Sequence, residues 1–238
     1  MKLTVFNGSP RGKNSNSHRV MTSFLNGFLS NSSNKGILLD MAGSSDQEDL
    51  IDTFRESDNI IIIFPLYLDS MPGIVKEFIE SISGHGTPDR SVGYILHSGF
   101  PESLQSSFIE KYLEKLTRDM QCNYLGTVIR GGTEVARIPG IQTNSLNRLV
   151  CKLGILTDLF GVGHLLSEKI LLRDFYNLGK EFGITGYFDT KICKKLAQPE
   201  KIGKNGFRIY RYIGDNYYWK VLLEKNGAYE RNFDRPYV

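Results

Sequence analysis

The stretch Asn7–Ser17 has the composition of an anion-binding loop that connects a strand to a helix. It reads Asn-Gly-Ser-Pro-Arg-Gly-Lys-Asn-Ser-Asn-Ser, so small residues stand among hydroxyl, amide and basic side chains. Glycine and serine let a backbone curl closely around a ligand, and the N–H groups and dipole of a following helix attract negative charge. We therefore predict a site for an anion such as phosphate. Its donors and counter-charge would be Ser9, Arg11, Ser15, Asn16 and Ser17.

This loop does not match the known nucleotide-binding motifs. It contains neither GxxxxGK[ST] nor GxGxxG, which disfavours a nucleoside triphosphate and a conventionally bound dinucleotide. A phosphatase loop of similar placement would need a cysteine nucleophile, and residues 7–17 include no cysteine. Taken alone, the loop could also be a polar turn with an incidental basic pair.

Two further turns have unusual compositions. Residues Pro65–Gly73 read Pro-Leu-Tyr-Leu-Asp-Ser-Met-Pro-Gly, which places apolar and aromatic side chains between two stiffening prolines. Residues His97–Glu102 read His-Ser-Gly-Phe-Pro-Glu, which is typical of a tight turn with accessible backbone N–H groups. If the three turns meet, they would form a site with a phosphate at one end and a flat, apolar, hydrogen-bonding group at the other.

The elements that must position these turns alternate between short β-branched runs and longer amphipathic runs. The run Ile60–Phe64 has no polar alternation, so it is predicted to be a central parallel strand buried on both faces. The predicted strands are Leu3–Phe6, Gly36–Asp40, Asn59–Phe64, Val92–His97 and Tyr124–Ile129. The predicted helices between them are Ser17–Leu29, Asp46–Ser57, Gly73–Ser83 and Glu102–Met120.

This alternation predicts an α/β fold with a doubly wound, five-stranded parallel sheet. A β/α barrel would need eight repeats, and the alternation stops near Arg130. In a sheet of order 2-1-3-4-5, the carboxyl ends of strands one, three and four meet at the point where ligands bind. The three turns follow these three strands, so we expect them to lie together.

The motifs in these turns resemble those of a known family. They are Gly8-Ser9-Pro10-Arg11 with Ser15-Asn16, Pro65-Leu66-Tyr67 with Met71-Pro72, and Ser98-Gly99. Over about residues 1–135 the chain resembles the flavodoxin-like NAD(P)H-dependent FMN reductase and quinone reductase family. The segment 216–237 is similar to the tail of some bacterial members. Electron-transfer flavodoxins differ, since they are shorter and acidic and have a threonine-rich phosphate loop.

The resemblance implies a flavodoxin-like fold and FMN as the cofactor. The residues at the FMN phosphate would be Ser9, Arg11, Ser15, Asn16 and Ser17. Those that line the isoalloxazine ring would be Pro65, Leu66, Tyr67 and Met71. Those at the polar edge of the ring would be Ser98, Gly99 and Phe100.

It also implies a reaction, in which hydride passes from NADH or NADPH to the flavin and then to a quinone, a free flavin or another small acceptor. The two substrates would react in turn, in a ping-pong order. Because the flavin carries the chemistry, no protein side chain is expected to be catalytic. A non-catalytic FMN-binding electron carrier or sensor is the alternative. Since FMN sites in this family are commonly completed by a second subunit, we also expect a homodimer.

The composition limits the class of protein. The chain has 238 residues, is 40% hydrophobic, and carries 29 basic against 26 acidic residues, which excludes a disordered chain. Three separated cysteines, Cys122, Cys151 and Cys193, form no disulfide framework or CxxC motif, so we expect passive thiols in a reducing compartment. The four histidines lack metal-site spacing, and we expect no metal. No apolar run approaches a membrane span, so a cytoplasmic protein without membrane association is predicted.

Beyond Arg130 the pattern is weaker. Helices are predicted over Asn144–Phe160 and Ser167–Phe182, the second ended by Gly183 and Gly186. Residues 189–206 are predicted to be a loop, and a short helix is expected from Asp215 to Lys225. We therefore divide the chain into an FMN-binding domain, 1–188, and a helical, basic and aromatic C-terminal extension, 189–238.

The extension also allows a different function. Residues 191–238 contain 11 basic and 5 acidic residues among nine aromatic ones. Basic residues interleaved with aromatic rings can bind nucleic acid through phosphate neutralisation and base stacking. We favour packing of these rings on the main domain or on a partner subunit, because acidic residues are interspersed and no motif accompanies them.

Two other features have open interpretations. His97 follows a predicted strand near the expected ring, where it could contact the ring or be a hydrogen-bonded structural histidine. The turn Arg130–Glu134 could form a wall of the substrate side or be an ordinary strand-end turn.

Overall fold

Five parallel strands form one sheet in the part of the chain that the computed structural model describes, residues 1–43, 47–67, 70–99, 107–133, 168–197, 220–228 and 230. In chain order the strands are β1 (Lys2–Asn7), β2 (Lys35–Asp40), β3 (Asn59–Pro65), β4 (Ser91–His97) and β5 (Asn123–Arg130). They are hydrogen bonded in the order β2-β1-β3-β4-β5, and every pair is parallel. The predicted doubly wound sheet is confirmed.

Helices follow the strands on both faces of the sheet. The described helices are α1 (Asn16–Phe28), α2 (Gln47–Arg55), α3 (Gly73–Ser81), α4 (Ser107–Asp119), α5 (Glu168–Thr185), α6 (Thr190–Leu196) and α7 (Lys220–Lys225), with a 3-10 turn at Gly12–Asn14. The elements predicted up to Arg130 are confirmed, although the expected start of the fourth helix, residues 102–106, lies outside the described residues.

Strand β3 divides the hydrophobic core because its side chains alternate between the two faces of the sheet. Ile60, Ile62 and Phe64 pack in the layer that holds α2, α3 and α4. Ile61 and Ile63 pack in the layer that holds α1, α5 and α6. All five side chains are fully buried, and burial of each contributes about 1.5–3 kcal/mol. The absence of alternation in the sequence is therefore explained by burial on both faces.

Helices α1 and α5 pack with their backbones in contact because glycines lie where they cross. A Cβ built on Gly27 of α1 would lie 1.9 Å from the carbonyl oxygen of Tyr176. A Cβ built on Gly179 of α5 would lie 1.9 Å from the carbonyl oxygen of Phe24. These separations are far below van der Waals contact, so neither position can carry a side chain. The close packing fixes the body of α1 on the sheet.

Two expectations for the later part of the chain are wrong. The helix predicted over Ser167–Phe182 is confirmed as α5, and Gly186, at φ 76°, follows its end as predicted. The expected end at Gly183 is wrong, because α5 continues through that residue. The segment predicted to be a loop from residue 189 begins instead with α6, whose N-cap Asp189 accepts a hydrogen bond from the N–H of Ile192 at 2.8 Å. Leu196, at the end of α6, is buried in the core layer of α1 and α5.

Much of the remaining chain lies outside the described residues. This applies to the helix predicted over Asn144–Phe160 and to residues 198–219 of the extension. Of the predicted tail helix, the structure describes α7, and Gly227 follows it at φ 62°. Across the described ranges, no helix has both the length and the apolar character needed to cross a bilayer.

Candidate functional site

Asn7, the last residue of β1, organises the loop that follows it. Its buried amide nitrogen lies within donating distance of the Gly12 carbonyl at 3.1 Å, Ser15 Oγ at 3.3 Å and Asp40 Oδ1 at 2.6 Å. Its amide oxygen accepts a hydrogen bond from the N–H of Ser9 at 3.1 Å. One side chain therefore holds both the start and the end of the loop in a curled conformation.

Ser15 forms the N-cap of α1. Its hydroxyl donates to the Gly12 carbonyl at 2.6 Å and accepts from the N–H of His18 at 3.0 Å. The N–H groups of Asn16 and Ser17 lie in the first turn, where carbonyls of the same helix cannot reach them. These groups carry the positive end of the helix dipole, so the loop side of α1 attracts an anion.

The charged groups around this loop differ in exposure. Arg11 and Lys13 lie exposed at its tip. The carboxylate of Asp40 lies behind the loop, where Oδ1 is 3.0 Å from Nδ1 of His18 and also accepts from Asn7. The protein partners of Asp40 cover most of its carboxylate, although Asp40 and the exposed Lys13 line one cavity.

The turn after β3 is anchored at both ends and presents an aromatic ring between them. Leu66 is buried, and its N–H donates to the carbonyl of His97 at 2.8 Å. The backbones of Tyr67 and Ser70 exchange two hydrogen bonds of 3.0 and 3.1 Å, and the side chain of Tyr67 is 49% exposed. Met71 is half-buried and packs against the core layer of α2 and α3. The turn therefore offers an apolar and aromatic surface to solvent.

The turns after β4 and β5 form one hydrogen-bonded unit. The N–H of Ser98 donates to the carbonyl of Arg130 at 3.0 Å. The carbonyl of Ser98 accepts from the N–H of Thr133 at 3.0 Å and from its hydroxyl at 3.1 Å. Gly99 is exposed at the tip, and Phe100 lies outside the described residues. The N–H and the carbonyl of Ser98 are therefore both used within this unit.

His97, the last residue of β4, joins the loop after β1 to the turn after β5. Its Nε2 lies 2.6 Å from Oγ of Ser17, and its Nδ1 lies 3.0 Å from Oγ1 of Thr133. The side chain is buried, and this burial lowers the pKa of His97 to about 4, so the ring is neutral at pH 7. The interpretation of His97 as a hydrogen-bonded structural histidine is confirmed.

The strand register brings the three turns to one edge of the sheet. Asn7 pairs with Ile63, Pro65 with His97, and His97 with Arg130. Most residues that the sequence predicts to bind the ligand are described by the structure and lie in these turns. They are Ser9, Arg11, Ser15, Asn16, Ser17, Pro65, Leu66, Tyr67, Met71, Ser98 and Gly99. Their part in ligand binding stays a prediction.

Sequence reasoning missed the organising role of Asn7. The signal that could have found it is an amide directly after a buried strand, in the position that pairs with Asp40 at the end of β2. The hydroxyl of Thr133 was also missed, because its partners Ser98 and His97 come from a different strand end.

The two described cysteines are protonated at neutral pH. Burial raises the pKa of the Cys193 thiol to about 12 and also raises that of the Cys122 thiol. Both are free thiols, in keeping with the predicted passive role.

A family comparison decides the classification of the chain. The family model described as flavodoxin-like fold matches residues 1–143, which is more than half of the sequence. The chain belongs to the flavodoxin-like fold family. The matched residues of this flavodoxin-like protein include all five strands and all three turns of the candidate site. No curated protein matches the chain by sequence.

Solved structures share the fold of this flavodoxin-like protein at low sequence identity. An NADH:FMN oxidoreductase, EmoB in its apo form, is 13% identical with a TM-score of 0.53, over 79% of this chain and 90% of that chain. An FMN-dependent NADH-azoreductase from Bacillus anthracis in complex with FMN is 14% identical with a TM-score of 0.50, over 77% and 98%. The azoreductase AzrA is 14% identical with a TM-score of 0.50, over 76% and 100%. At these identities the likeness shows the fold.

Proposed function

We propose that this protein is an FMN-dependent oxidoreductase that takes hydride from NADH or NADPH and reduces a quinone, a free flavin or another small acceptor. The observation that carries the proposal is the meeting of a basic, N–H-rich loop and an apolar, aromatic turn at one edge of the sheet. This combination suits a ligand with a phosphate at one end and a flat ring at the other. Proteins of the same fold with TM-scores of 0.50 or above include an NADH:FMN oxidoreductase and an FMN-dependent azoreductase, which supports this choice of ligand.

The loop after β1 fits the phosphate of FMN. The N–H groups of Asn16 and Ser17 lie at the positive end of α1, and Arg11 is exposed in the loop that precedes them. The negative charge of Asp40 faces His18 and Asn7, so it does not oppose an anion on the solvent side. A phosphate bound here would be held by main-chain donors and by the charge of Arg11.

The turns after β3 and β4 fit the isoalloxazine ring. Leu66 and Met71 are anchored in the protein, and Tyr67 lies on the surface between them. One face of a bound ring would rest on this turn, and the turn that begins with Ser98 and Gly99 would lie at its polar edge. Contact with these side chains would exclude water from one face and leave the other face open.

When bound, FMN would supply the hydride acceptor and the electron transfer of the reaction. The side chains of this protein would then bind and orient the substrates. His97 is buried and neutral and its two nitrogens are engaged, so it does not offer a proton to a ligand. The open side of the site would receive the pyridine nucleotide and the acceptor in turn, which gives a ping-pong order.

The proposal is tested first by cofactor binding. Purified protein is incubated with FMN and desalted, and the retained flavin is measured. In a second experiment the flavin-free protein is titrated with FMN or with riboflavin, the matched ligand that lacks the phosphate, and binding is followed by flavin fluorescence. We expect one FMN per chain and a clearly weaker affinity for riboflavin. Equal affinity for the two would contradict the assignment of the phosphate to the loop after β1, and no binding of either would contradict FMN as the cofactor.

A further inference from the structure

The two hydrogen bonds of His97 have directions that follow from the atoms around them. The hydroxyl of Thr133 lies 3.1 Å from the carbonyl oxygen of Ser98 and 3.0 Å from Nδ1 of His97, and we assign its one proton to the bond with the carbonyl. His97 Nδ1 then donates to Oγ1 of Thr133 at 3.0 Å. Because the ring is neutral, Nε2 carries no proton and accepts from the hydroxyl of Ser17 at 2.6 Å. The network assigns the Nδ1–H tautomer.

This assignment changes the part that Ser17 can play at the site. Its side chain is fully buried, and its one hydroxyl proton is used by His97. The hydroxyl therefore has no proton to donate to a phosphate, and Ser17 can serve an anion through its main-chain N–H. The Ser17 side chain connects the first turn of α1 to the end of β4.

We propose that His97 is a positioning residue for the anion end of the site, an inference that rests on the proposed function. Through its bonds to Ser17 and Thr133, it fixes the first turn of α1 relative to the turn after β5. The position of the α1 N–H groups relative to the turn after β5, and so part of the affinity for a phosphate, would depend on this imidazole.

Other contacts hold the rest of α1: Arg19 pairs with Glu168, and Asp40 contacts His18, whereas His97 links the first turn to β4. The body of α1 is fixed on α5 through the glycine contacts at Gly27 and Gly179. Residues 16 and 17 lie near the opposite end of α1, about three turns away. The loss of the bond between His97 and Ser17 should therefore move the N-terminal turn without unfolding the helix.

Three substitutions separate the two bonds of His97. The amide nitrogen of Asn reaches about as far as Nδ1, so His97→Asn keeps the bond to Thr133 and loses the bond to Ser17. In His97→Gln the longer side chain places its amide oxygen about where Nε2 lies, so this oxygen can accept the hydrogen bond from Ser17. Ser17→Ala removes the same bond from the other side. His85→Gln is the matched control, because His85 lies after α3 and contacts Arg55.

The readout is the dissociation constant of FMN compared with that of riboflavin, measured by flavin fluorescence. For His97→Asn and Ser17→Ala we expect FMN to bind about five- to tenfold more weakly, the effect of about one hydrogen bond, while riboflavin binding is unchanged. His97→Gln should recover most of the FMN affinity, and His85→Gln should match the wild type. If His97 contributed only to the stability of the fold, the variants would have a lower unfolding midpoint, and the ratio of the FMN and riboflavin dissociation constants would stay unchanged.

Several outcomes would overturn the inference. One is wild-type FMN affinity in Ser17→Ala, and another is an equal loss of FMN and riboflavin affinity in both variants. A third is an Nε2–H tautomer of His97 in the ¹⁵N NMR spectrum, which needs no flavin. If the wild type binds FMN and these variants do not differ from it, the inference fails while the proposed function stands. If the wild type binds no FMN, both fail.

Discussion

Asn7 and Asp40 end the neighbouring strands β1 and β2, and the amide nitrogen of Asn7 donates to Oδ1 of Asp40 at 2.6 Å. The same carboxylate faces His18 of α1. The carboxylate of Asp40 therefore supports the candidate anion-binding loop by accepting from Asn7 and His18. Its charge is directed at these two side chains and not at a ligand.

Replacement of Asn7 tests whether it holds the loop. Asn7→Ala should lower the free energy of unfolding by about 2–4 kcal/mol, because the N–H of Ser9 and the carboxylate of Asp40 lose a buried partner. Asn59→Ala is the control, since Asn59 is partly exposed and its side chain makes one described hydrogen bond, to the Lys2 carbonyl. It should change stability by less than about 1 kcal/mol. Equal losses in urea unfolding of the two variants would contradict the role given to Asn7.

Arg11 should contribute to affinity through charge. Arg11→Ala is expected to weaken FMN binding by about 1.5–3 kcal/mol and to leave riboflavin binding unchanged, since a charge-assisted contact is lost only with the phosphate. Arg118→Ala provides a matched control, because Arg118 is exposed on α4 and pairs with Glu114. An unchanged FMN dissociation constant, measured by fluorescence titration, would remove Arg11 from the phosphate site.

Stability should fall in mild acid because of His97. Burial lowers the pKa of this ring from 6.5 to about 4, so between these values the unfolded chain binds a proton that the folded chain does not. The contribution of the neutral His97 ring to the free energy of unfolding is therefore fully present above pH 6.5. It decreases as the pH falls toward 4, by roughly 3 kcal/mol in total. His97→Gln lacks this titration, so the difference between the two proteins in urea unfolding should shrink with falling pH. Parallel curves across this range would contradict the burial of a neutral ring.

The glycine contact between α1 and α5 should tolerate no side chain. Gly179→Ala would place a Cβ against the backbone of Phe24, and we expect a loss of about 3 kcal/mol or more in the free energy of unfolding. Gly73→Ala is the control, because a Cβ there meets open space at the start of α3. It should be neutral or stabilising by up to about 1 kcal/mol. Similar thermal midpoints for the two variants would show that α1 and α5 are not in backbone contact.

The sheet and its order could be predicted from the sequence because the patterns that specify them are local. The run Ile60–Phe64 indicates burial on both faces without knowledge of its neighbours. The alternation of strands and helices then favours one order of strands, and that order places the three turns together. The candidate site was predictable to the same extent, as three segments rather than as contacts.

The remaining features depend on partners that are distant in the sequence. The role of Asn7 depends on Asp40, 33 residues away, and the role of His97 depends on Ser17, 80 residues away. Gly183 lies inside α5, and a Cβ there would lie 2.9 Å from the Phe28 carbonyl oxygen, so this glycine permits close packing and does not end the helix. Helix α6 is short and lysine-rich, and Leu196 is buried only through its contact with the core.

The most direct test of the account is anaerobic titration of the FMN-loaded protein with NADH and with NADPH, followed by absorbance. For the proposed oxidoreductase, the flavin band at about 450 nm should be retained after desalting, bleach with at least one of the two nucleotides, and return when a quinone is added. A retained band that neither nucleotide bleaches would contradict the oxidoreductase and favour an FMN-binding electron carrier or sensor.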